Sequence, residues 1–210
     1  MTWGDLFERA RSVETTEAAV RETLARRRDS GAGRLDGADT EGGDRDRGDD
    51  PPDGAVPTRI VADADVLAAD LLLGGPARDA LDAVRTHAWL DLVASEALLS
   101  DARAVIDGIA GEVDPDLADD WLRRVETERV TVGHPAGDHP GLASAYRSGA
   151  THLLTLDEDL TTARTGLSVQ PHLAVSVRRP AAFAAVFDAG ALYAAEVGDD
   201  YSGGDRDPRD

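Results

Sequence analysis

Apolar positions near the start of the chain recur at helical spacing. Trp3, Leu6, Phe7 and Ala10, then Val13, Ala19 or Val20, and Leu24 predict one or two amphipathic helices over residues 1–29. Thr15 and Thr16 can cap the second helix, and Arg26-Arg27-Arg28 would close it against the negative end of its dipole. The triplet reads either as a solvated last turn or as a phosphate contact. Residues 30–57 change character: Gly, Asp, Arg and Pro with almost no large apolar side chain. Such a segment buries too little surface to repay ordering, so a disordered acidic linker is expected there, and a disordered acidic tail at 198–210.

Residues 58–197 alternate short apolar runs with helical patterns. Ile60-Val61-Ala62, Trp89–Val93, Val130-Thr131-Val132, His152–Thr155 and Leu173–Val177 read as strands. Between and after them, helices are expected over Val66–Leu73, Ala77–Thr86, Glu96–Ile109, Asp114–Arg124 and Leu142–Ser148, and from Pro180 through Phe187. Alternation of this kind predicts an α/β fold. A three-layer α/β/α sandwich is expected, with a central, mainly parallel sheet of about five strands and an N-terminal helical extension tethered to it.

Composition narrows the chemistry. The formal net charge is -19, from 41 acidic against 22 basic residues, and every basic residue is Arg. Such acidity opposes self-association and weakens the compact state by self-repulsion, which concentrated salt screens. A salt-adapted (halophilic) cytoplasmic protein is the expectation. Without Cys there is no disulfide framework, thiolate nucleophile or Cys-based zinc site, and without Lys no amine nucleophile. The five His residues lack ligand spacing and read as surface or capping residues. No stretch approaches the ~20 apolar residues of a membrane helix.

Carboxylates are placed more pointedly. Asp63 and Asp65 follow the first strand, Asp138 precedes a helix, and Asp157 and Asp159 follow the fourth strand. In a parallel sheet all of these open onto the C-terminal edge, where ligand crevices form. Each alone can be an N-cap or an acidic turn. Carboxylates gathered together repel, so the set calls for protons or a cation, and hard divalent ions take oxygen ligands. Metal-assisted hydrolysis is the chemistry that this inventory supports best.

The run I-V-A-D-A-D-V-L resembles the first motif of PIN domains. The block from Asp138 to Leu160, D-x-x-x-L-A-x-A-x-x-x-G-A-x-x-L-L-T-x-D-x-D-L, resembles their third and fourth motifs. V-S-V-R-R-P-A-A-F is similar to their last strand and final helix, so the likeness covers roughly residues 58–190. The resemblance implies a Mg²⁺- or Mn²⁺-dependent ribonuclease, as in toxins of toxin–antitoxin pairs or RNA-processing nucleases. It makes Asp63, Asp138 and Asp157 the metal-site acids, with Asp65 and Asp159 auxiliary and Thr155 orienting a carboxylate or a water. By that division Asp63 points to the crevice, while Asp65 caps the next helix or holds outer-shell water.

The second motif departs from the family, which normally carries a Glu in the helix after the second strand. Asp101 is the nearest match, one carbon shorter, and Glu96 the second choice. That departure keeps open an alternative, a catalytically degenerate PIN module that binds RNA or a protein partner. D-A-D-V also resembles the nucleophile motif of haloacid-dehalogenase-like phosphatases, which usually need a Lys that this chain lacks. An RNA partner would have to be met by local arginines, with Arg59, Arg103 and Arg147 as candidates. The N-terminal helix is left three uses: docking on the domain, pairing in a homodimer, or binding an antitoxin or another protein.

Charge repulsion gives the first prediction. The thermal midpoint should rise steadily from 0.1 to 2 M KCl, as the Debye length falls from ~10 Å to below ~3 Å. A midpoint independent of salt would contradict the salt-adapted reading.

Overall fold

In the computed structural model, which describes residues 1–30, 58–135, 139–162 and 175–210, the run Ile60-Val61-Ala62 lies in an interior strand of a sheet. That strand, β1 (Thr58–Ala62), pairs in parallel with β2 (Leu90–Val93) on one side and β3 (His152–Leu154) on the other. β4 (Ser176–Arg178) pairs in parallel with β3, giving the order β2-β1-β3-β4. All of Ile60, Val61 and Ala62 are fully buried, as expected for a parallel strand covered on both sides. The chain is α/β, with a parallel four-stranded sheet and ten helices among the described residues.

The sheet is one strand short of the expected five. Val130 forms a single parallel bridge to Val93, the last residue of β2, its N–H donating to the Leu92 carbonyl at 2.8 Å. The last strand is displaced along the chain, to Ser176–Arg178, and Leu173 lies outside the described residues.

After β1 come α3 (Ala64–Leu72) and α4 (Gly75–Arg85), and after β2 come α5 (Glu96–Ala110), α6 (Leu117–Glu126) and α7 (Pro140–Ser148). A short α8 (Glu158–Thr161) follows β3, and α9 (Pro180–Val186) and α10 (Ala189–Glu196) follow β4. Ends follow local chemistry. The Ser95 hydroxyl accepts the Leu98 N–H at 3.3 Å, and Gly149 stops α7 in the left-handed region at φ 67°. The terminal helix is divided because Asp188 caps a new start, accepting the Ala191 N–H at 3.0 Å.

The two N-terminal helices, α1 (Trp3–Ala10) and α2 (Glu17–Asp29), do not stand apart from the domain. Trp3, Leu6, Phe7, Ala10, Val13, Val20 and Leu24 join the same core as the sheet. Trp3 Nε1 donates to Glu128 at 2.8 Å, and the Arg85 guanidinium lies 3.9 Å from the Trp3 ring centroid while pairing with buried Asp70.

The tail read as disordered is also held in place. The N–H groups of Asp205 and Arg206 reach the Thr86 carbonyl at 3.0 and 3.1 Å, and the Gly4 N–H reaches the Arg209 carbonyl at 2.9 Å. Tyr201 meets His87 Nε2 at 2.6 Å. These are specific polar contacts, which a composition argument based on apolar burial does not register. The expected linker lies outside the described residues from residue 31 to 57. No described helix is long and apolar enough to cross a membrane.

Trp3→Ala should lower stability by about 3–5 kcal/mol in chemical unfolding, the usual loss for a fully buried Trp. A loss below about 1 kcal/mol would mean that α1 contributes little to the core.

Candidate functional site at the acidic sheet edge

The strand order turns back between β1 and β3: β2 lies beyond β1 on one side, β3 and β4 on the other. In open parallel sheets the ligand crevice opens at such a reversal, outside the C-terminal strand ends. Asp63 follows β1 and Asp157 follows β3, so both stand at the mouth of this crevice.

Asp63 is fully buried and begins α3. One carboxylate oxygen accepts the Ala64 N–H at 2.8 Å and Arg28 Nη2 at 2.9 Å; the other accepts the Thr155 hydroxyl at 3.1 Å. Buried Thr155 in turn accepts the Asp157 N–H at 3.1 Å, tying the two acids together through one hydroxyl. Gly141 belongs to the same arrangement. A Cβ there would lie 3.4 Å from the Asp63 carboxyl carbon and 3.2 Å from Leu153, so Gly lets the first turn of α7 approach the acid. The positive end of α7 favours the charge it meets.

The cap expected of Asp65 falls to Asp63. Asp63 is the helix cap, while Asp65, inside the first turn, accepts the Leu156 N–H at 3.1 Å. Its second oxygen, Oδ1, is buried with no hydrogen-bond partner among the described residues. Burial first, and the neighbouring Asp63 charge second, push the Asp65 carboxyl well above the usual carboxylate range. That cap follows from the turn: the residue at the strand end has the extended backbone of an N-cap, φ -66° and ψ 161°.

Asp101 is buried on α5 and is brought to the same cluster by arginines that were not counted among the site residues. Arg27 Nε donates to Asp101 Oδ1 at 2.8 Å, with Arg27 Nη2 on the Ser100 hydroxyl at 2.8 Å. Arg28 bridges two acids, Nε to Asp101 at 3.2 Å and Nη2 to Asp63 at 2.9 Å. Burial opposes the Arg28 charge, but Asp63 and Asp101 outweigh it and raise its pKa. Neither guanidinium is in a solvated last turn or free for phosphate. The signal was present in the spacing, since Arg27 and Arg28 lie three and four residues beyond Leu24 and share its inward face.

The other candidates divide plainly. Asp157 is half-buried and caps α8, accepting the Asp159 N–H at 2.8 Å; Asp159 is exposed. Asp138 lies outside the described residues. Glu96 is exposed and ion-paired with buried Arg129. Arg59 donates to the Ser148 carbonyl at 3.1 Å beside Asp91, Arg103 pairs with Asp119 at 2.6 Å, and Arg147 is exposed. His139 caps α7 through Nδ1, leaving Nε2 buried without a hydrogen-bond partner among the described residues. Burial lowers its pKa, so the ring is neutral at pH 7.

Mg²⁺ and Mn²⁺ need carboxylate oxygens that no other cation holds. Among the described residues no three acid or histidine side chains are gathered as such a ligand set. With α2 docked, the oxygens of Asp63 and Asp101 face guanidinium groups, so these residues do not fit a divalent ion in this arrangement.

The Asp65 shift predicts a pH-dependent variant. A carboxyl whose folded pKa is raised holds its proton more tightly folded than unfolded, so stability falls as pH rises from about 3.8 through the folded value. Asp65→Asn keeps an acceptor for Leu156 and removes the charge. In chelator at pH 7 its thermal midpoint should exceed that of the parent, by about 2–4 °C for each kcal/mol relieved, with the gain shrinking toward pH 4. An equal gain at both pH values would contradict the assignment.

A protein family, "Family of unknown function (DUF7384)", matches residues 54–209. No curated protein and no solved structure matches the chain. The span holds Asp63, Asp65, Asp101, Thr155 and Asp157, and begins after Arg27 and Arg28. With most of its length inside the match, from ahead of β1 into the tail, the chain belongs to this family of unknown function.

Proposed function

We propose that the chain is a PIN-like, divalent-metal-dependent ribonuclease of the three-layer α/β/α type. The docked arrangement of α2 is its resting state. The observation that carries this reading is the Thr155 hydroxyl at the strand-order reversal, which donates to the Asp63 carboxylate and accepts the backbone N–H of Asp157. Supporting it are the unpartnered oxygen of Asp65, the neutral His139 beside the same acids and the motif likeness over residues 58–190. Mg²⁺ or Mn²⁺ would supply activation of water for phosphodiester cleavage, and RNA is the substrate class. Of the chain's own residues, Thr155 holds Asp63 in one orientation and Asp157 stands at the accessible side of the cleft.

A second reading, the non-cutting PIN-like module that binds RNA or a protein, is favoured by one observation. Arg27 and Arg28 already neutralise Asp63 and Asp101.

Cleavage of single-stranded RNA in Mn²⁺ separates the two. The full chain, or its Arg28→Gln variant, should cut RNA only with a divalent ion, and adding Asp157→Asn should abolish cutting without unfolding the protein. RNA bound but uncut by both proteins would move the account to the second reading. Cutting that survives Asp157→Asn would refute the site.

A further inference from the structure

We propose that α2 is a built-in plug: the guanidinium groups of Arg27 and Arg28 take the place of the cation between Asp63 and Asp101, and the site opens when α2 lifts away. The inference uses the acid cluster of the ribonuclease reading, but it concerns what the cluster binds rather than what it cuts.

Three features carry it. The first is charge. Asp63 and Asp101 meet two guanidinium groups, so withdrawing α2 would leave two buried carboxylates without that counter-charge, beside buried Asp65 and half-buried Asp157. Such a set binds a cation or takes up protons. Arg28 reaches Asp63 at 2.9 Å and Asp101 at 3.2 Å with two nitrogens, joining acids from separate elements as a shared ion would. The buried Oδ1 of Asp65 has no hydrogen-bond partner among the described residues, so the cluster retains acceptor capacity beyond the two arginines.

The second feature is the seat of α2. Only Val20 and Leu24 of this helix are buried, against four residues of the shorter α1. The rest of the seat is polar: Arg21 with Glu158, Glu17 with Arg179, and the two arginines on the acids. A cleft of about 520 Å³ runs along α2, lined by Leu24, Ala25 and Arg28 of the helix and by Asp65 and Asp157. A helix held by ion pairs over a cleft of that size is a seat that a competing cation can weaken.

The third feature is the division of the sequence. The acids lie within the family span at residues 54–209, and both arginines lie ahead of it. Site and plug are carried by separate parts of the chain.

Isothermal titration of the full-length protein with MnCl₂ tests this, comparing the parent with Arg27→Gln/Arg28→Gln. The double variant should bind Mn²⁺ about 10-fold or more tightly than the parent, because helix docking and ion binding exclude each other. Its thermal midpoint should rise by about 5–10 °C at a hundredfold excess of Mn²⁺ over Kd, and the parent's should move much less. If the double variant does not fold, Arg28→Lys keeps the charge but loses the two-nitrogen fork that reaches Asp63 and Asp101, and it should show the same gain in smaller measure. Equal Mn²⁺ affinity in parent and variants, or none in any of them, would overturn the plug. Gained Mn²⁺ binding without RNA cleavage would leave the plug standing and remove the nuclease reading. Equal RNA cleavage by parent and variants would do the reverse.

Discussion

The arrangement depends on what buried carboxylates require. Asp63 and Asp101 are almost wholly out of water, and a charge in that position must be paired, because an unpaired one costs several kcal/mol. Arg27 and Arg28 meet this need from a helix distant in sequence, and in doing so they fix where α2 sits relative to α3 and α5. The same constraint reaches Asp65, which lacks such a partner and responds by favouring its protonated form. A single rule, that charge must be matched where water is excluded, thus links the N-terminal arm, the sheet edge and the chemistry of the crevice.

Much of the fold was legible in the sequence because apolar periodicity reports burial directly. The run Ile60-Val61-Ala62 and the stretch through Leu153-Leu154 announced parallel strands, and Ser95, Gly149 and Pro180 marked helix ends by ordinary capping chemistry. What failed did so for identifiable reasons. Val130-Thr131-Val132 has a strand's alternation, but nothing in the pattern says that its ladder ends after one residue. The tail carries almost no apolar signal, yet its backbone finds Thr86 and α1, contacts visible only in three dimensions.

The site was legible in its acids and opaque in its cations. Asp63, Asp65, Thr155 and Asp157 follow strand ends, so topology alone gathers them. Asp101 comes to them from the middle of α5, and the sequence could not say that an Arg would be its partner. Arg27 and Arg28 read as a common C-terminal helix turn, because an arginine triplet beside a Gly- and Asp-rich stretch is what solvated helix ends look like. Only their spacing from Leu24 indicated an inward face. Which of Asp63 and Asp65 caps α3 was likewise decided by backbone geometry at one turn, which residue type does not encode.

The central claim is that this acid cluster is a cation site now filled by arginine. Its most direct test is a crystal structure of the Arg27→Gln/Arg28→Gln chain grown with MnCl₂, with anomalous scattering locating the ion. The account predicts one Mn²⁺ peak within coordinating distance of Asp63 and at least one of Asp65, Asp101 and Asp157. Density with no ion at that edge, and the four carboxylates in their present positions, would contradict it.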